Sequence, residues 1–90
     1  MKIEITDELR ALLSQIVEVN KSGAKWSEFE SDDAFQSDSF CGGFDATEQA
    51  FCFSYYDHDG REFWFQLTLE DIGQVLSDEK TELSVRPNEK

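Results

Sequence analysis

Lysine and arginine are absent between Trp26 and Gly60, and all eight basic residues of the chain lie outside this stretch. The whole chain carries 20 acidic residues and a formal net charge of −12. A charge of this sign repels phosphate groups and anionic lipids, which argues against direct binding to nucleic acid or to a membrane surface. We therefore expect a basic protein partner, such as a nuclease, a toxin or a nucleic-acid-binding protein.

Histidine and cysteine are also scarce, with one histidine and two cysteines in the chain. A nucleophilic serine or cysteine needs a nearby histidine, and His58 lies in what reads as an exposed turn. The spacing of Cys41, Cys52 and His58 matches no standard zinc site. We therefore expect that the protein is not an enzyme and that it binds neither a metal ion nor a cofactor. Cys41 and Cys52 are predicted to be free thiols, with a disulfide across two strands as the alternative.

Long apolar runs are missing as well. No segment reaches the ~18 apolar residues of a membrane span, and acids occupy the N-terminal positions where a signal peptide has basic residues. The expectation is a cytoplasmic protein without membrane attachment. Eight Phe, two Trp and two Tyr supply apolar area for a core. We expect one domain over residues 1–90, with 87–90 as a flexible tail.

The spacing of apolar residues near the N-terminus predicts a helix over residues 6–21, with Thr6 as its N-cap and Gly23 as a left-handed C-cap. The residues of the apolar stripe are Leu9, Leu12, Leu13, Ile16 and Val17. Alternation of Met1, Ile3 and Ile5 indicates a short edge strand before the helix.

Residues 50–69 read as a hairpin around the Asp57-His58-Asp59-Gly60 turn. A type I turn with Gly60 in the left-handed region makes one face wholly aromatic and aliphatic and leaves the other face half polar, with Tyr56 and Trp64 on it. The predicted cross-strand pairs are Tyr55 with Phe63, Phe53 with Phe65, and Phe51 with Leu67. Residues 39–45 would return against 48–54 around Ala46-Thr47, which brings Cys41 nearly opposite Cys52. Gly42-Gly43 indicates a bulge or a close backbone approach.

The remaining segments complete the predicted order. Trp26–Glu30 is expected to be a strand, residues 31–39 a polar connection, and Thr68 the cap of a short helix. Residues 81–86 would form a last strand. The predicted fold is α+β and two-layered, with an N-terminal helix, a three- or four-stranded antiparallel sheet and a short C-terminal helix.

The acidic stretch predicts the functional surface. If the segment around Glu28 and Glu30 is a strand, these side chains lie roughly 6.6 Å apart in a row. The predicted electrostatic patch consists of Glu28, Glu30, Asp32, Asp33 and Asp38. Tyr56 and Trp64 point away from the core in the predicted register. They are either covered by the 24–38 segment or exposed as anchors for a partner.

These residues favour a small acidic binding protein that inhibits a basic partner, either as an immunity protein or as a nucleic-acid mimic. Two alternatives stay open. The Asp57–Glu62 turn or the Asp32–Asp38 loop could hold Ca²⁺, although "DHDG" departs from an EF-hand loop. The face that bears Tyr56 and Trp64 could instead mediate self-association, which gives a monomer or weak dimer. The acids could also serve only to solubilise the chain.

Overall fold

The computed structural model describes residues 1–88 and contains two α-helices, one short 3₁₀ helix and seven strands. In chain order, the elements are β1 (Lys2–Glu4), α1 (Asp7–Ser22), the 3₁₀ helix (Trp26–Phe29), β2 (Phe35–Gln36), β3 (Phe40–Asp45), β4 (Ala50–Tyr56), β5 (Glu62–Leu67), α2 (Leu69–Leu76), β6 (Glu82–Ser84) and β7 (Arg86–Pro87).

The N-terminal helix follows its sequence signals. The Thr6 side chain accepts a hydrogen bond from the backbone N–H of Leu9, and Gly23 ends the helix with φ of 76°. Four residues of the apolar stripe are buried, with no exposed surface on Leu9, Leu13 and Ile16, and Val17 is partly buried. The predicted helix is confirmed, and so is the predicted strand before it, which pairs with β6.

The strands form a five-stranded antiparallel sheet in the order β2-β3-β4-β5-β7 and a separate two-stranded sheet of β1 and β6. The α+β class is therefore confirmed. The prediction of three or four strands is wrong because the sequence gives little sign of the two-residue edge strands. Phe35 in β2 lies inside the predicted polar connection, and Pro87 in β7 lies inside the predicted tail.

The register of the central hairpin is confirmed. Phe51 pairs with Leu67, Phe53 with Phe65, and Tyr55 with Phe63. Gly60 has a φ of 80°. The Asp57 Oδ1 atom accepts two hydrogen bonds of 2.9 Å, from the backbone N–H groups of Asp59 and Arg61. This side-chain bonding fixes the turn and therefore the register of the two strands.

The predicted register of β3 with β4 is wrong by two residues. Asp45 pairs with Ala50, so the loop has four residues rather than the predicted two. The Asp45 Oδ1 atom accepts the N–H groups of Thr47 and Glu48, and Gln49 has φ of 54°. The shift of two keeps the predicted faces. It leaves Cys41 opposite Ser54 rather than opposite Cys52.

The predicted strand at Trp26–Glu30 is also wrong, because Trp26–Phe29 forms the 3₁₀ helix. The Trp26 ring packs edge-on against Phe51 at 4.9 Å between centroids, and Phe29 stacks on Phe35 at 5.3 Å. A strand would place residues 26 and 29 on opposite faces, whereas a 3₁₀ turn points both toward the core. Packing of two aromatic rings thus overrides the local alternation.

The C-terminal part contains the predicted short helix and a divided strand. Thr68 and Asp71 form a reciprocal capping box at the start of α2. Residues 82–84 pair with β1, and residues 86–87 pair with β5. The backbone N–H of Asn88 donates to the carbonyl of Glu62 at 2.9 Å, so the first two residues of the predicted tail belong to the sheet edge. Residues 89–90 of that tail lie outside the described residues.

One core fills the space between the helices and the inner face of the larger sheet. It combines the apolar stripes of both helices with buried sheet residues, namely Phe35, Phe40, Phe51, Phe53, Phe63, Phe65 and Leu67. Phe44 is only partly buried against this core. Within residues 1–88, neither helix has the length and apolar composition that a membrane span requires.

Candidate functional site

The larger sheet has a second face that points away from both helices, called the outer face below. Alternate residues of four strands form it: Cys41, Gly43, Cys52, Ser54, Tyr56, Glu62, Trp64, Gln66 and Arg86. The side chains of Trp64 and Tyr56 are 45% and 43% exposed. The alternative in which the 24–38 segment covers these two rings is therefore wrong. The fold leaves two large aromatic side chains in solvent on the face opposite the core.

Glu62 lies among the side chains of the outer face and is held in one position. Its Oε2 atom accepts hydrogen bonds from Ser54 Oγ at 2.8 Å and from Tyr56 Oη at 3.1 Å. Its Oε1 atom accepts a hydrogen bond from Asn88 Nδ2. The pKa of Glu62 is lowered to about 2, chiefly by the hydrogen bonds from Ser54 and Asn88, with smaller contributions from the Trp64 and Tyr56 side chains. The carboxylate is therefore ionised at neutral pH and oriented by neutral donors.

A shallow depression of about 370 Å³ lies on the outer face. The residues that line it include Glu62, Trp64, Tyr56, Cys41, Cys52 and Ser54. Asp32 lines the depression from the loop that follows the 3₁₀ helix. The depression thus combines two aromatic rings with two carboxylates from separate parts of the chain.

Gly43 allows the acidic loop to approach the sheet. A Cβ atom at position 43 would overlap the carbonyl oxygens of Ser31 and Phe29. The predicted close backbone approach at Gly42-Gly43 is therefore confirmed. Ser31 Oγ donates to Asp33 Oδ1 at 3.0 Å and stabilises the bend of this loop. The contact at Gly43 places Asp32 beside Cys41 and Cys52.

The two cysteines are free thiols. Cys41 pairs with Ser54 and Cys52 with Gly43, so the two cysteines are diagonal neighbours on adjacent strands rather than direct partners. Burial raises the pKa of both thiols, and nearby carboxylates raise it further. Asp32 acts on both thiols, while Glu62 acts on Cys41 and Asp45 on Cys52. Both side chains are therefore neutral thiols at neutral pH.

The five acids of the predicted patch are all exposed, but they do not form one row. Glu30 and Asp32 line a smaller depression beside Asp45, next to the larger one. Asp33 is close enough to raise the pKa of Cys41. Glu28 lies on the 3₁₀ helix, and Asp38 lies in the β2–β3 loop, at the opposite end of β3 from Asp45. The structure therefore joins part of the predicted patch to the outer face and leaves Glu28 and Asp38 apart.

None of these five carboxylates has an ion-pair partner among residues 1–88. The ion pairs that the structure contains there lie elsewhere: Arg10 with Asp78, Lys21 with Glu18, Arg61 with Asp57 and Asp59, and Lys80 with Asp71. Glu62 also has no cation within 4.0 Å in the part of the chain that the structure describes. The carboxylates beside the outer face thus form no ion pair among the described residues, and Arg86 is the cation of this chain that shares the face.

The sequence reading missed Glu62 and Asn88 as members of the site. Glu62 could have been found, because the correct hairpin register places it directly opposite Tyr56. Asn88 could not, since its contact depends on the pairing of β7 with β5. The hydrogen bonds of Asp45 depend on the four-residue loop, so the predicted two-residue loop could not reveal them.

The proposed Ca²⁺ sites receive no support from the geometry. The Asp57 carboxylate is occupied by the N–H groups of Asp59 and Arg61 and by the Arg61 guanidinium, whose Nε lies 3.0 Å from Oδ2. Over residues 1–88, no three His, Cys, Asp or Glu side chains converge as metal ligands would. The Asp57–Gly60 segment is a structural turn.

Comparison with known proteins adds no relative. No protein-family model matches the chain, and it shows no significant similarity to a curated protein or to a solved structure.

Proposed function

We propose that this chain is a small acidic binding protein that inhibits a basic partner by covering the partner's cationic surface. The observation that carries the proposal is the outer face, where exposed Trp64 and Tyr56 adjoin carboxylates that have no ion-pair partner within residues 1–88. Tryptophan and tyrosine are enriched at interface hot spots, and charge complementarity steers association. Neither the exposed rings nor the unpaired carboxylates contribute to the packing of the core in an isolated monomer.

The proposed partners are those whose own ligands are anionic: a nuclease, a toxin or another nucleic-acid-binding protein. The acids would occupy basic side chains that otherwise bind phosphates, as an immunity protein or a nucleic-acid mimic does. Because Glu28 and Glu30 do not alternate along a strand, the mimicry would come from the outer face and the Glu30–Asp33 loop. The proposal describes a cytoplasmic monomer or weak dimer without catalytic activity.

A pull-down tests this proposal directly. The immobilised protein is incubated with native lysate at low salt, and retained proteins are eluted with increasing NaCl. We expect basic proteins to elute at moderate salt, because interactions between exposed charges are screened within a Debye length of about 10 Å at 0.1 M. The matched control is the triple variant Glu30→Lys, Asp32→Lys, Asp33→Lys, which should retain the fold and lose the partner.

Two results would count against the proposal. One is a captured partner whose affinity does not change with salt. The other is a partner that binds the folded triple variant as strongly as the wild type. Light scattering after size-exclusion chromatography separates this proposal from self-association through Tyr56 and Trp64, because the net charge of −12 opposes a dimer at low salt.

A further inference from the structure

The outer face contains a carboxylate that is fixed before any partner arrives. Glu62 is bonded by Ser54, Tyr56 and Asn88, and all three donors are neutral. A carboxylate has about four lone-pair sites; Oε2 accepts two of these bonds and Oε1 accepts one, so at most one position, on Oε1, remains for a further donor. Glu62 therefore keeps its negative charge and a free acceptor position, and little side-chain entropy remains to be lost on binding.

Aromatic rings flank this carboxylate. Trp64 follows two residues later on β5 and shares the outer face, so the two Cα atoms are roughly 6.6 to 6.8 Å apart. Tyr56 is the direct cross-strand partner of Glu62. Asp32 also lines the depression. A volume of about 370 Å³ lies near the lower end of the range for binding pockets, roughly 300 to 1,000 Å³.

We propose that this depression receives an arginine side chain of the basic partner, an inference that rests on the proposed function. A guanidinium group is planar and carries several N–H donors, so it stacks on an aromatic ring while one N–H donates to the remaining acceptor position of Glu62 and another donates to Asp32. Trp64 supplies the ring, and Glu62 and Asp32 supply the carboxylates. An ammonium group has no planar face to stack on the ring and no in-plane fork of donors to reach two separate carboxylates, so the depression discriminates against lysine.

Arg86 is a cation of this chain at the edge of the same face. It pairs with Trp64 across β5 and β7, is exposed, and forms no ion pair among the described residues. Its charge opposes an incoming guanidinium near the Trp64 ring. Replacing Arg86 by glutamine should therefore strengthen binding, whereas replacing Glu62 by glutamine should weaken it. The two changes alter the net charge in opposite directions at one site.

Two short peptides serve as probes, each with four arginines or four lysines that alternate with glycine. Binding is measured by calorimetry and by the change in tryptophan fluorescence at low salt. We expect the arginine peptide to bind at least about fivefold more tightly than the lysine peptide. Glu62→Gln should weaken the arginine peptide by roughly tenfold and reduce this preference. Arg86→Gln should strengthen binding by severalfold.

Glu70→Gln is the matched control, because it removes the same charge from an exposed position on α2. It should change the affinity of either peptide less than twofold. Trp64→Phe should abolish the fluorescence change while Trp26 remains, which reports that the peptide contacts the outer face. Circular dichroism verifies that each variant is folded.

The outcomes separate the arginine site from the proposed function. If both peptides bind equally and Glu62→Gln behaves like Glu70→Gln, the arginine site is refuted, and the broader electrostatic proposal stands on the pull-down. If neither peptide binds, the arginine site is also refuted. Salt-sensitive capture of a basic protein would then support the proposed function alone, and its absence would refute both.

Discussion

The Glu8 carboxylate on α1 accepts a hydrogen bond from the backbone N–H of Ser39, 31 residues further along the chain, at 2.7 Å. The same Oε2 atom accepts the hydroxyl of Ser37, also at 2.7 Å. The hydrogen bond from Ser37 is the main cause that lowers the pKa of Glu8. This side chain thus connects the first turn of the helix to the β2–β3 loop of the sheet.

Replacing Glu8 by alanine should destabilise the protein by roughly 1 to 3 kcal/mol, because a partly buried N–H and a hydroxyl lose a charged acceptor. The measurement is urea unfolding at neutral pH. Asp7→Ala is the control, since Asp7 adjoins Glu8 in the first turn and is exposed. Its loss affects only the helix dipole, by about 0.3 to 1 kcal/mol. Equal effects of the two changes would contradict the structural role of Glu8.

A methyl group at position 43 should disturb the acidic loop. The Cβ atom of Gly43→Ala would overlap the backbone carbonyls of Ser31 and Phe29, neither of which can rotate away as a side chain could. We expect a loss of about 1 to 3 kcal/mol in the free energy of unfolding. The position of Asp32 beside the outer face should change as well, and binding of the arginine peptide should weaken.

The same substitution at Gly73 should have the opposite effect on stability. It lies within α2, and a Cβ atom there would meet nothing within 4 Å apart from its chain neighbours and the backbone of its own helix. Gly73→Ala should therefore stabilise the protein by roughly 0.5 to 1 kcal/mol, because alanine has the higher helix propensity. Destabilisation at 73, or no effect at 43, would show that the packing described for these glycines is incorrect.

The hydrogen bonds of Glu62 make stability depend on pH. Its pKa is about 2 in the folded protein against 4.5 ordinarily, so the folded state stabilises the ionised form. This contribution is complete above pH 4.5 and is lost as the pH falls toward 2. The difference in stability between the wild type and Glu62→Gln should therefore be largest near neutral pH and decrease across this window.

Urea unfolding at several pH values between about 7 and 2.5 measures this difference. Glu70→Gln again serves as the control. It removes one negative charge, and the Glu70 side chain forms no hydrogen bond among the described residues. A wild-type minus Glu62→Gln difference that stays constant through this range would contradict the assignment of the three donors. Because Glu62→Gln and Glu70→Gln each remove one negative charge, comparing them cancels the general effect of acid on a strongly negative protein.

Short-range signals predicted much of this fold. Thr6, Gly23 and the apolar spacing between them determine α1, and the turn at Asp57 and Gly60 determines the β4–β5 register. These signals act within a few residues of one another, so the sequence displays them. The predicted β4–β5 register correctly places Tyr56 and Trp64 on the face opposite the core.

The errors arose where distant contacts decide the local conformation. Residues 26–29 became a 3₁₀ helix because Trp26 packs on Phe51 and Phe29 on Phe35. The edge strand at Arg86–Pro87 exists only because β5 lies beside it. Part of the site depends on such contacts, since Gly43 positions Asp32 and Asn88 holds Glu62. The Gly42-Gly43 pair indicates a close backbone approach but not which segment makes it, and no local pattern indicates the contact of Asn88 with Glu62.

The two thiols of the outer face should react slowly with a disulfide reagent such as 5,5′-dithiobis(2-nitrobenzoic acid) near neutral pH. Burial and neighbouring carboxylates raise the pKa of both Cys41 and Cys52, and only the thiolate attacks the reagent. Both should react rapidly in denaturant. Rapid reaction of the native protein, or fewer than two thiols after unfolding, would contradict the description of two partly buried free cysteines.

Salt should stabilise the protein through screening of its own charge. With a net charge of −12 and an unpaired acidic loop, repulsion opposes the compact state at low ionic strength. Raising NaCl from about 0.01 to 0.1 M shortens the Debye length from roughly 30 to 10 Å. We expect a gain on the order of 1 kcal/mol, which corresponds to about 4 to 8 °C in Tm for a domain of this size.

The triple variant Glu30→Lys, Asp32→Lys, Asp33→Lys tests the origin of that gain. Its three changes of +2 each halve the net charge of the whole chain from −12, and they act at the loop whose acids form no ion pair among residues 1–88. Its Tm should exceed that of the wild type at low salt and rise less as salt is added. Choline chloride should act on the wild type as NaCl does, since screening depends on ionic strength alone. A large rise in Tm with micromolar Ca²⁺ at constant ionic strength would instead indicate a specific cation site and contradict screening as the cause.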